Sequence, residues 1–423
     1  MPPAQTIAPH AAKVSEVLKN FDRWLEVYGE LSWDHQSYFA GPVGRFAKGL
    51  YYKNKLLGTV AVAPMIFSEA FFPAARRLFH QPMRLPIADA HYAMGYAYLH
   101  EATGEPKYLE KAIHFLDVLK ASRSPGFAEF CWGYPFDWVT RNGVLKAHTP
   151  FITTTPYVFE ALLQVKKLRP RADWREMMAS SVRYATTLIK DQPFPGGGNT
   201  CSYMPDGEFN VVNASAYRAT MLFSAATFLG NDEWLKIAAG NVDFVLAAQN
   251  ADGSWPYAKD GVRDFVDHFH TCFVMKALAK IYRLNGDPRI HAALAKGVDY
   301  YLKNLFSEDG MPRPFSKAPR LTVYKCELYD CAECINLCLL LRRYFPALEK
   351  TLETVVAGVL KNWVKRDGSF RSRKLILGWD NVPMHRWAQS QMFRALAFYL
   401  REAVFADGHQ GRRSALRHHF ATA

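Results

Sequence analysis

Apolar residues recur every three to four positions along most of the chain, which is the spacing of α-helices that bury one face. Alternating apolar and polar residues, the pattern of half-buried strands, are scarce. We predict paired helices, and the first helix of each pair begins near Asp89, Thr154, Asn213, His268, Asp330 and Arg386. The second helices are predicted over residues 107–121, 173–190, 232–248, 288–305 and 347–364.

Three turns inside these pairs are nearly identical. Their sequences are ATGEPK at 102–107, FLGNDE at 228–233 and LNGDPR at 284–289. Glycine accepts the left-handed conformation that ends a helix, and proline suits the first turn of the next one. The pairs recur at intervals of roughly 55 to 65 residues, the length of a helical hairpin plus a long loop.

The long loops between pairs share a second signature, an Asp-Gly turn followed by an aromatic residue or proline. It occurs at 205–209, 251–255, 308–312 and 366–370. Asp-Gly favours a turn, and the next large residue can plug the loop against the helices. The repetition predicts one continuous repeat domain over 51–406, preceded by a helical extension over 1–50 and followed by a basic tail over 407–423.

These repeats predict an all-α fold of about six helical hairpins that closes into an α/α toroid. Six pairs is about the number at which such rings close, and no polar capping repeat is evident. The helix after Leu56 and the helix after Met384 have no partner within their own hairpins. We therefore predict that these two helices pair with each other and close the ring.

Charge and composition limit the kinds of ligand, cellular location and cofactor that we expect. The formal net charge of +13 favours an anionic partner, but the basic residues form no single stripe, so we expect no nucleic acid. We find no secretory signal and no run of about 20 apolar residues, which predicts a cytoplasmic protein without a transmembrane segment. Cys331, Cys334 and Cys338 have helical spacing and are interpreted as core residues, so we predict no metal site and no cofactor.

Two groups of motifs resemble known families. The segment QNADGSW at 249–255 is similar to repeats of terpenoid cyclases and of α/α-toroid glycosidases. Together with FCWGYPFDW at 130–138 and VDHFHTCF at 266–273, it resembles VpsJ-like bacterial exopolysaccharide-biosynthesis proteins over roughly residues 85 to 400. This resemblance implies a toroid that acts in polysaccharide assembly, with peripheral association with an export complex, and it assigns no catalytic residue.

In a toroid the N-termini of the inner helices and the long loops meet at one end, which we call the mouth. Helix N-termini there also favour negatively charged ligand groups. The candidate catalytic residues at these positions are His268, His270, Tyr324, Asp330 and Glu333. The two histidines can act as general acid and base, the phenol can be activated by the neighbouring lysine, and the two carboxylates can share a proton.

The candidate substrate-binding residues combine aromatic rings, which stack on sugars, with polar groups. They are Trp132, Tyr134, Asp137, Trp138, Asn213, Trp255, Tyr257, Asp267, Trp379, Arg386 and Trp387. Each has a structural alternative: the loop aromatics can be plugs, Asp267 and Asp330 can be helix caps, and Arg386 can form a salt bridge.

The leading hypothesis is a carbohydrate-active enzyme that modifies an acidic, uronate-containing polysaccharide or oligosaccharide in exopolysaccharide biosynthesis. Arg386 would neutralise the uronate carboxylate while His268, His270 or Tyr324 abstracts the C5 proton, giving epimerisation or β-elimination. One alternative is a glycoside hydrolase that uses two carboxylates from Asp137, Asp267, Asp330 and Glu333. Another is a non-catalytic polysaccharide-binding or scaffold protein.

Overall fold

The computed structural model describes residues 8–319 and 322–420, with side chains for 9–319 and 322–406. The predicted tail at 407–423 lies outside the described side chains. Within the described ranges the chain forms fifteen α-helices. They are α1 (Ala11–Tyr28), α2 (Ser37–Ala40), α3 (Pro42–Lys53), α4 (Lys55–Phe71), α5 (Pro86–Thr103), α6 (Pro106–Ala121), α7 (Thr155–Lys166), α8 (Ala172–Arg183), α9 (Val212–Leu229), α10 (Glu233–Ala247), α11 (His268–Asn285), α12 (Pro288–Asn304), α13 (Leu328–Leu341), α14 (Ala347–Asn362) and α15 (Ser390–Phe420).

Short antiparallel strands occupy the loops of the same ranges. They are β1 (Trp138–Thr140), β2 (Gly143–Leu145), β3 (Asp191–Pro193), β4 (Asn199–Cys201), β5 (Val266–Asp267), β6 (Phe315–Lys317), β7 (Tyr324–Glu327), β8 (Arg373–Leu375) and β9 (Trp379–Asp380). β1 pairs with β2, β3 with β4 and β5 with β6, while β7, β8 and β9 form one three-stranded sheet. Two π-helical turns, Tyr184–Leu188 and His385–Gln389, extend α8 and precede α15.

Six helices form a closed inner ring, which confirms the α/α toroid. In order around the ring they are α5, α7, α9, α11, α13 and α15, each packed against the next, and α15 packs against α5. Their starts lie within a few residues of the predicted ones. The repeat spacing therefore predicted the inner wall correctly.

The outer layer confirms five predicted partners and corrects the sixth. Helices α6, α8, α10, α12 and α14 each pack on the inner helix that precedes them. The prediction that the helix after Leu56 pairs with the last inner helix is wrong, because α4 packs on α3 and α1 packs on α15. The physical reason is that α1 has a continuous apolar face, with Val14, Leu18, Phe21 and Leu25 all buried in the main core.

The hairpin turns have the predicted caps. Gly104, Gly230 and Gly286 have φ of 72°, 78° and 66°, and each donates its amide to the carbonyl four residues earlier. Asp287 then caps α12 by accepting a hydrogen bond from the amide of Arg289. These caps reverse the chain sharply and keep each inner helix next to its outer partner.

Two predicted sugar-stacking residues are core plugs instead. Trp132 is fully buried and donates its indole N–H to the carbonyl of Leu119 at 2.8 Å. Trp255 is also buried and donates to the carbonyl of Val245 at 2.9 Å. Because both indole rings are buried against helices and their N–H groups are already hydrogen-bonded, neither ring is available to a substrate.

Two further expectations concern the whole chain. The cysteines on α13, Cys331, Cys334 and Cys338, are fully buried, as predicted for core residues. Within 8–319 and 322–420, no helix has both the length and the apolar character needed to cross a membrane.

Candidate active site

The mouth end of the ring encloses an aromatic cup. Trp387 lies 4.8 Å from the ring of Tyr329 and 5.5 Å from that of Phe269, measured between centroids. Phe273 lies one turn below Phe269 on α11 and contacts Tyr217 of α9 at 5.3 Å. Three inner helices and the π-helical turn before α15 thus contribute aromatic residues near the mouth. Phe269 and Trp387 are half-buried and present ring surface of the kind that stacks on sugars, whereas Tyr217, Phe273 and Tyr329 are buried behind them.

Below the aromatic cup, ion pairs link the inner helices; Lys276 and Glu333 are buried, whereas Lys280 and Glu160 are 25% and 27% exposed. Lys276 pairs with Glu333, and Nζ of Lys280 lies 2.7 Å from Oε1 of Glu160. Arg394 approaches the same carboxylate at 3.3 Å. Burial raises the pKa of Glu160, but Lys280 and Arg394 outweigh it and lower that pKa to about 2. These pairs make a charged floor that limits the depth of any bound ligand.

One Asp–His pair lies at the rim of the cup, at the start of α11. Asp267 caps the helix, because its Oδ1 accepts the backbone N–H of His270 at 2.9 Å. Its Oδ2 lies 2.6 Å from Nδ1 of His270. The carboxylate can only accept, so Nδ1 carries the proton and Nε2 presents its lone pair away from Asp267. The imidazole packs edge-on against Tyr257 at 4.7 Å, and its side chain is 21% exposed.

A second Asp–His pair comes from the loop between α1 and α2. Nδ1 of His35 lies 3.1 Å from Oδ1 of Asp34 without making a hydrogen bond to it, and the imidazole is 4.4 Å from the ring of Trp387. Nε2 of His35 accepts a hydrogen bond from the side-chain amide of Gln36 at 3.0 Å. Burial lowers the pKa of His35 well below its usual value, which keeps this imidazole neutral.

Asp34 also fixes Arg386, and this corrects one prediction. Nε and Nη2 of Arg386 donate to the two oxygens of Asp34 at 3.0 and 2.7 Å, and the guanidinium stacks on Tyr134 at 4.4 Å. Both partners are buried. Arg386 is therefore engaged inside the protein and is not free to clamp a substrate carboxylate.

Two predicted catalytic residues are structural. His268 is fully buried, with Nδ1 3.1 Å from the carbonyl of Leu305 and Nε2 2.8 Å from the hydroxyl of Tyr301. Both ring nitrogens are satisfied, so His268 cannot exchange a proton with a substrate. Burial raises the pKa of Tyr324 well above its usual value, and its ring packs on Arg373 at 4.7 Å, which contradicts an activated phenol.

Each of the four predicted carboxylates either pairs with a neighbouring side chain or is buried inside the protein. Oδ2 of Asp137 pairs with Arg45 at 2.9 Å, Asp267 holds His270, and Glu333 pairs with Lys276. Asp330 is fully buried, and burial raises its pKa well above the usual value, with further contributions from neighbouring acidic groups. Asp330 therefore lies inside the wall and is not one member of an open carboxylate pair.

The remaining predicted residues divide between the cup and the outer loops. Tyr134, Trp138 and Tyr257 are half-buried at the rim, and Tyr134 lies 5.9 Å from Trp138. Asn213 is buried in the first turn of α9, and its Oδ1 has no hydrogen-bond partner. Trp379 begins β9 and packs edge-on against Trp363 at 5.0 Å, so it is part of that packing rather than of the cup.

Sequence reasoning missed several residues of the cup. They are Asp34, His35, Phe269, Phe273 and Tyr329. A signal for the first two exists, because Trp33-Asp34-His35 repeats the Asp-His dipeptide found at 267–268 beside an aromatic residue. The three wall aromatics belong to ordinary helical periodicity, which does not distinguish a lumen position from a core position.

Comparisons with solved structures support the same fold. Cellobiose 2-epimerase from Bacillus thermoamylovorans B4167 matches with a TM-score of 0.59 and 9% identity over 75% of this chain and 88% of that one. A glycosyl hydrolase of family 88 from Bacteroides vulgatus matches with a TM-score of 0.58 and 10% identity over 93% and 99%. A D-mannose isomerase matches with a TM-score of 0.56 and 12% identity over 77% and 88%. Identities this low establish the fold alone.

No family model matches the sequence, and no curated protein sequence does. The resemblance to VpsJ-like proteins is therefore not confirmed, whereas the predicted likeness to toroidal carbohydrate-active enzymes is confirmed at the level of the fold.

Proposed function

We propose that this protein is a carbohydrate-active enzyme that transfers a proton at a carbon next to the carbonyl group of a sugar, as a sugar epimerase or isomerase does. The observation that carries the proposal is the Asp267–His270 pair at the rim of the aromatic cup. His35 lies at the same cup, in contact with Trp387. Solved structures of the same fold include a cellobiose 2-epimerase and a D-mannose isomerase.

The chemistry follows from the hydrogen bonds of His270. Asp267 holds the proton of His270 on Nδ1, so Nε2 is the basic atom. Nε2 takes the proton from the carbon next to the carbonyl, and the electron pair of that C–H bond forms an enediolate. Asp267 stabilises the imidazolium. In an isomerase the hydroxyl proton passes from one oxygen of the enediolate to the other, and the imidazolium returns its proton to the neighbouring carbon.

In an epimerase a proton reaches the same carbon from the opposite face of the sugar. A second group on that face makes this transfer direct, and we assign the role to His35. Once a substrate hydroxyl displaces the Gln36 amide, Nε2 of His35 first takes a proton from solvent. The resulting imidazolium then delivers that proton to the carbon, while His270 keeps the proton that it removed. Trp387, which contacts His35 and neighbours Phe269, would support the sugar ring between the two histidines.

The engaged carboxylates favour this reaction over glycoside hydrolysis. A glycosidase needs two carboxyl groups that face the scissile bond, one to donate a proton and one to act as base or nucleophile. Asp137 is neutralised by Arg45 and Glu333 by Lys276, while Asp267 orients His270. Histidine chemistry requires no such pair.

The finer hypothesis, that the substrate is a uronate polymer in exopolysaccharide biosynthesis, rested on two observations, Arg386 and the net charge, and only the net charge still favours it. Arg386 no longer supports it, because Asp34 occupies the guanidinium. The net charge of +13 still favours an acidic glycan, so uronate polymers belong in the test beside neutral sugars. A cytoplasmic location and association with an export complex stay predictions.

The test is hydrogen exchange in heavy water. The protein is incubated separately with cellobiose, mannose and uronate polymers, and proton NMR follows loss of the signal at the carbon next to the carbonyl, or at C5 of the uronates. We expect exchange with a neutral reducing sugar that disappears in His270→Ala and persists in Asp137→Asn. Absence of exchange with every sugar would reject the proposal, and exchange at C5 alone would restore the uronate hypothesis.

A further inference from the structure

The hairpin of α3 and α4 exposes an unusual amount of apolar surface. Of the large apolar side chains that are exposed among the described residues, half lie within 43–78. On α4 they form one stripe at helical spacing, in which Leu56, Val60 and Phe67 are 78%, 69% and 58% exposed. Monomeric soluble proteins rarely leave a contiguous apolar patch of this kind uncovered, so the patch indicates a docking surface.

The exposed charged residues of this surface are all positive. Lys53 and Lys55 flank the turn between α3 and α4, and Arg77 follows α4, all three exposed. Residues 35–80, all of which the structure describes, contain a single carboxylate, Glu69, and it is paired with Arg373 at 2.5 Å. A partner that covers this surface must therefore combine an apolar interior with negative charge at its boundary.

A basic cleft adjoins the apolar stripe. It has a volume of about 430 Å³ and is lined by Gly41, Arg45, Arg77 and His80, among others, between α3 and the turn after α4. Because Arg45 is paired with Asp137, Arg77 supplies most of the positive charge of the cleft. This size accommodates a phosphate-bearing head group while the neighbouring stripe contacts acyl chains.

We propose that the α3–α4 hairpin docks this protein onto an anionic phospholipid bilayer, with the apolar stripe in the interfacial layer and Lys53, Lys55 and Arg77 at the head groups. An apolar helical face beside lysine and arginine is the pattern of helices that lie in a membrane interface without crossing it. A second copy of the chain fits less well, because a two-fold contact would bring the same three cations against each other.

Docking would also place the mouth next to the bilayer. Helix α3 packs on β1 beside Trp138, and Glu69 of α4 reaches Arg373. Arg373 in turn pairs with Glu327, which accepts the indole N–H of Trp387 in the cup. The docking surface and the cup therefore share one end of the ring, although docking itself does not depend on the reaction proposed for the cup.

The experiment is vesicle co-flotation of the full chain. Vesicles of phosphatidylcholine are compared with vesicles that also contain phosphatidylglycerol, at low and at high salt. We expect binding to the anionic vesicles that weakens with salt. The triple variant Leu56→Ser, Val60→Ser, Phe67→Ser should lower the partition coefficient by at least about tenfold. Lys53→Glu, Lys55→Glu, Arg77→Glu should lower it similarly and abolish the salt dependence.

Two control variants isolate the hairpin. Phe228→Ser with Leu284→Ser removes exposed apolar residues at the opposite end of the ring and should leave binding unchanged. Arg412→Glu with Arg413→Glu tests the basic sequence at 407–423 and should leave the apolar contribution intact. All substituted hairpin residues are exposed, so circular dichroism should report unchanged folding.

Three results would overturn the proposal. The first is no binding to anionic vesicles, and the second is binding that the 412–413 variant abolishes while the hairpin variants do not. The third is a dimer, detected by sedimentation without lipid, that the triple serine variant dissociates, since the occupant would then be a second copy.

Discussion

The two Asp–His pairs at the mouth differ in where the chain supplies them and in the freedom of the imidazole. Asp267 and His270 belong to the first turn of α11, and Asp267 serves only its own helix and that histidine. Asp34 and His35 come from a loop outside the helical repeat, and Asp34 is shared with Arg386. The first pair leaves Nε2 of its histidine open, whereas Gln36 covers Nε2 of His35.

In the proposed mechanism, this contrast separates a histidine that reacts with the substrate from a histidine whose aspartate also holds a buried arginine. A helix N-terminus positions His270 with few other interactions, so a change there affects chemistry more than folding. The loop pair holds a buried guanidinium, so a change there affects stability as well as chemistry. Substitutions in the α11 pair should therefore mainly lower activity, whereas substitutions in the loop pair should also lower the free energy of unfolding.

The largest expected effect concerns His270. His270→Ala should reduce hydrogen exchange on the sugar by about a hundredfold to ten-thousandfold, because general acid–base catalysis by one side chain contributes that much. Sugar binding, measured by calorimetry, should change little.

The variant His35→Ala should give a different outcome in single-turnover NMR. We expect hydrogen exchange into only one of the two epimers, since His270 still serves one face of the sugar. Equal losses in both epimers would contradict the two-sided assignment.

The next effect is on stability. Asp34→Asn leaves Arg386 buried without a counter-charge and should lower the free energy of unfolding by about 3 to 5 kcal/mol. Asp267→Asn keeps a good helix cap and should cost about 1 kcal/mol or less. Urea unfolding followed by circular dichroism measures both. The double variant Asp34→Asn, Arg386→Met should recover part of the loss, and a loss that is equal in the two single variants would contradict the comparison.

The stability of the loop 29–36, which carries Asp34 and His35, should depend on pH, whereas that of the first turn of α11 should not. His385 of the π-helical turn binds the N-terminal loop, with Nε2 3.0 Å from the carbonyl of Gly29. Burial lowers the pKa of His385 from 6.5 to about 4, and burial also lowers the pKa of His35 well below its usual value. Between pH 6.5 and about 4 the unfolded chain binds more protons than the folded protein does. The stability that is present above pH 6.5 is therefore lost as the pH falls towards 4.

This loss should reach about 3 kcal/mol for His385 alone, from a shift of about 2.5 in its pKa. Hydrogen–deuterium exchange with mass spectrometry should show the loop 29–36 opening first as pH falls, while the first turn of α11 stays protected. Simultaneous opening of both segments would mean that the loop is not an independent element.

The sequence predicted the ring more completely than the site, and particular residues explain why. The glycine turns and Asp-Gly loops act locally, so the inner helices could be placed from their spacing. His270 could be placed at the mouth because it lies in the first turn of an inner helix, whereas its catalytic role stays a prediction. His35 was missed because it reaches the mouth only through the packing of α1 on α15, a contact between the two ends of the chain.

The same limit explains the residues that were assigned wrongly. Whether Arg386 is free depends on Asp34, more than three hundred positions away in the chain, and whether Trp132 is a plug depends on the groove beside Leu119. Local sequence identifies the chemical type of a side chain but not its partner. Buried ion pairs and plugs are decided by tertiary packing.

The smallest expected effect concerns Asp137, the carboxylate in the aromatic loop of the rim. Its ion pair with Arg45 is partly exposed, and Asn can still accept the hydrogen bond that Ala147 donates to Oδ1. Asp137→Asn should therefore change the unfolding free energy by less than about 1 kcal/mol and leave hydrogen exchange nearly unchanged. Urea unfolding and the heavy-water assay measure the two quantities. A hundredfold loss of turnover in this variant would make Asp137 a catalytic acid and would favour glycoside hydrolysis over histidine-based proton transfer.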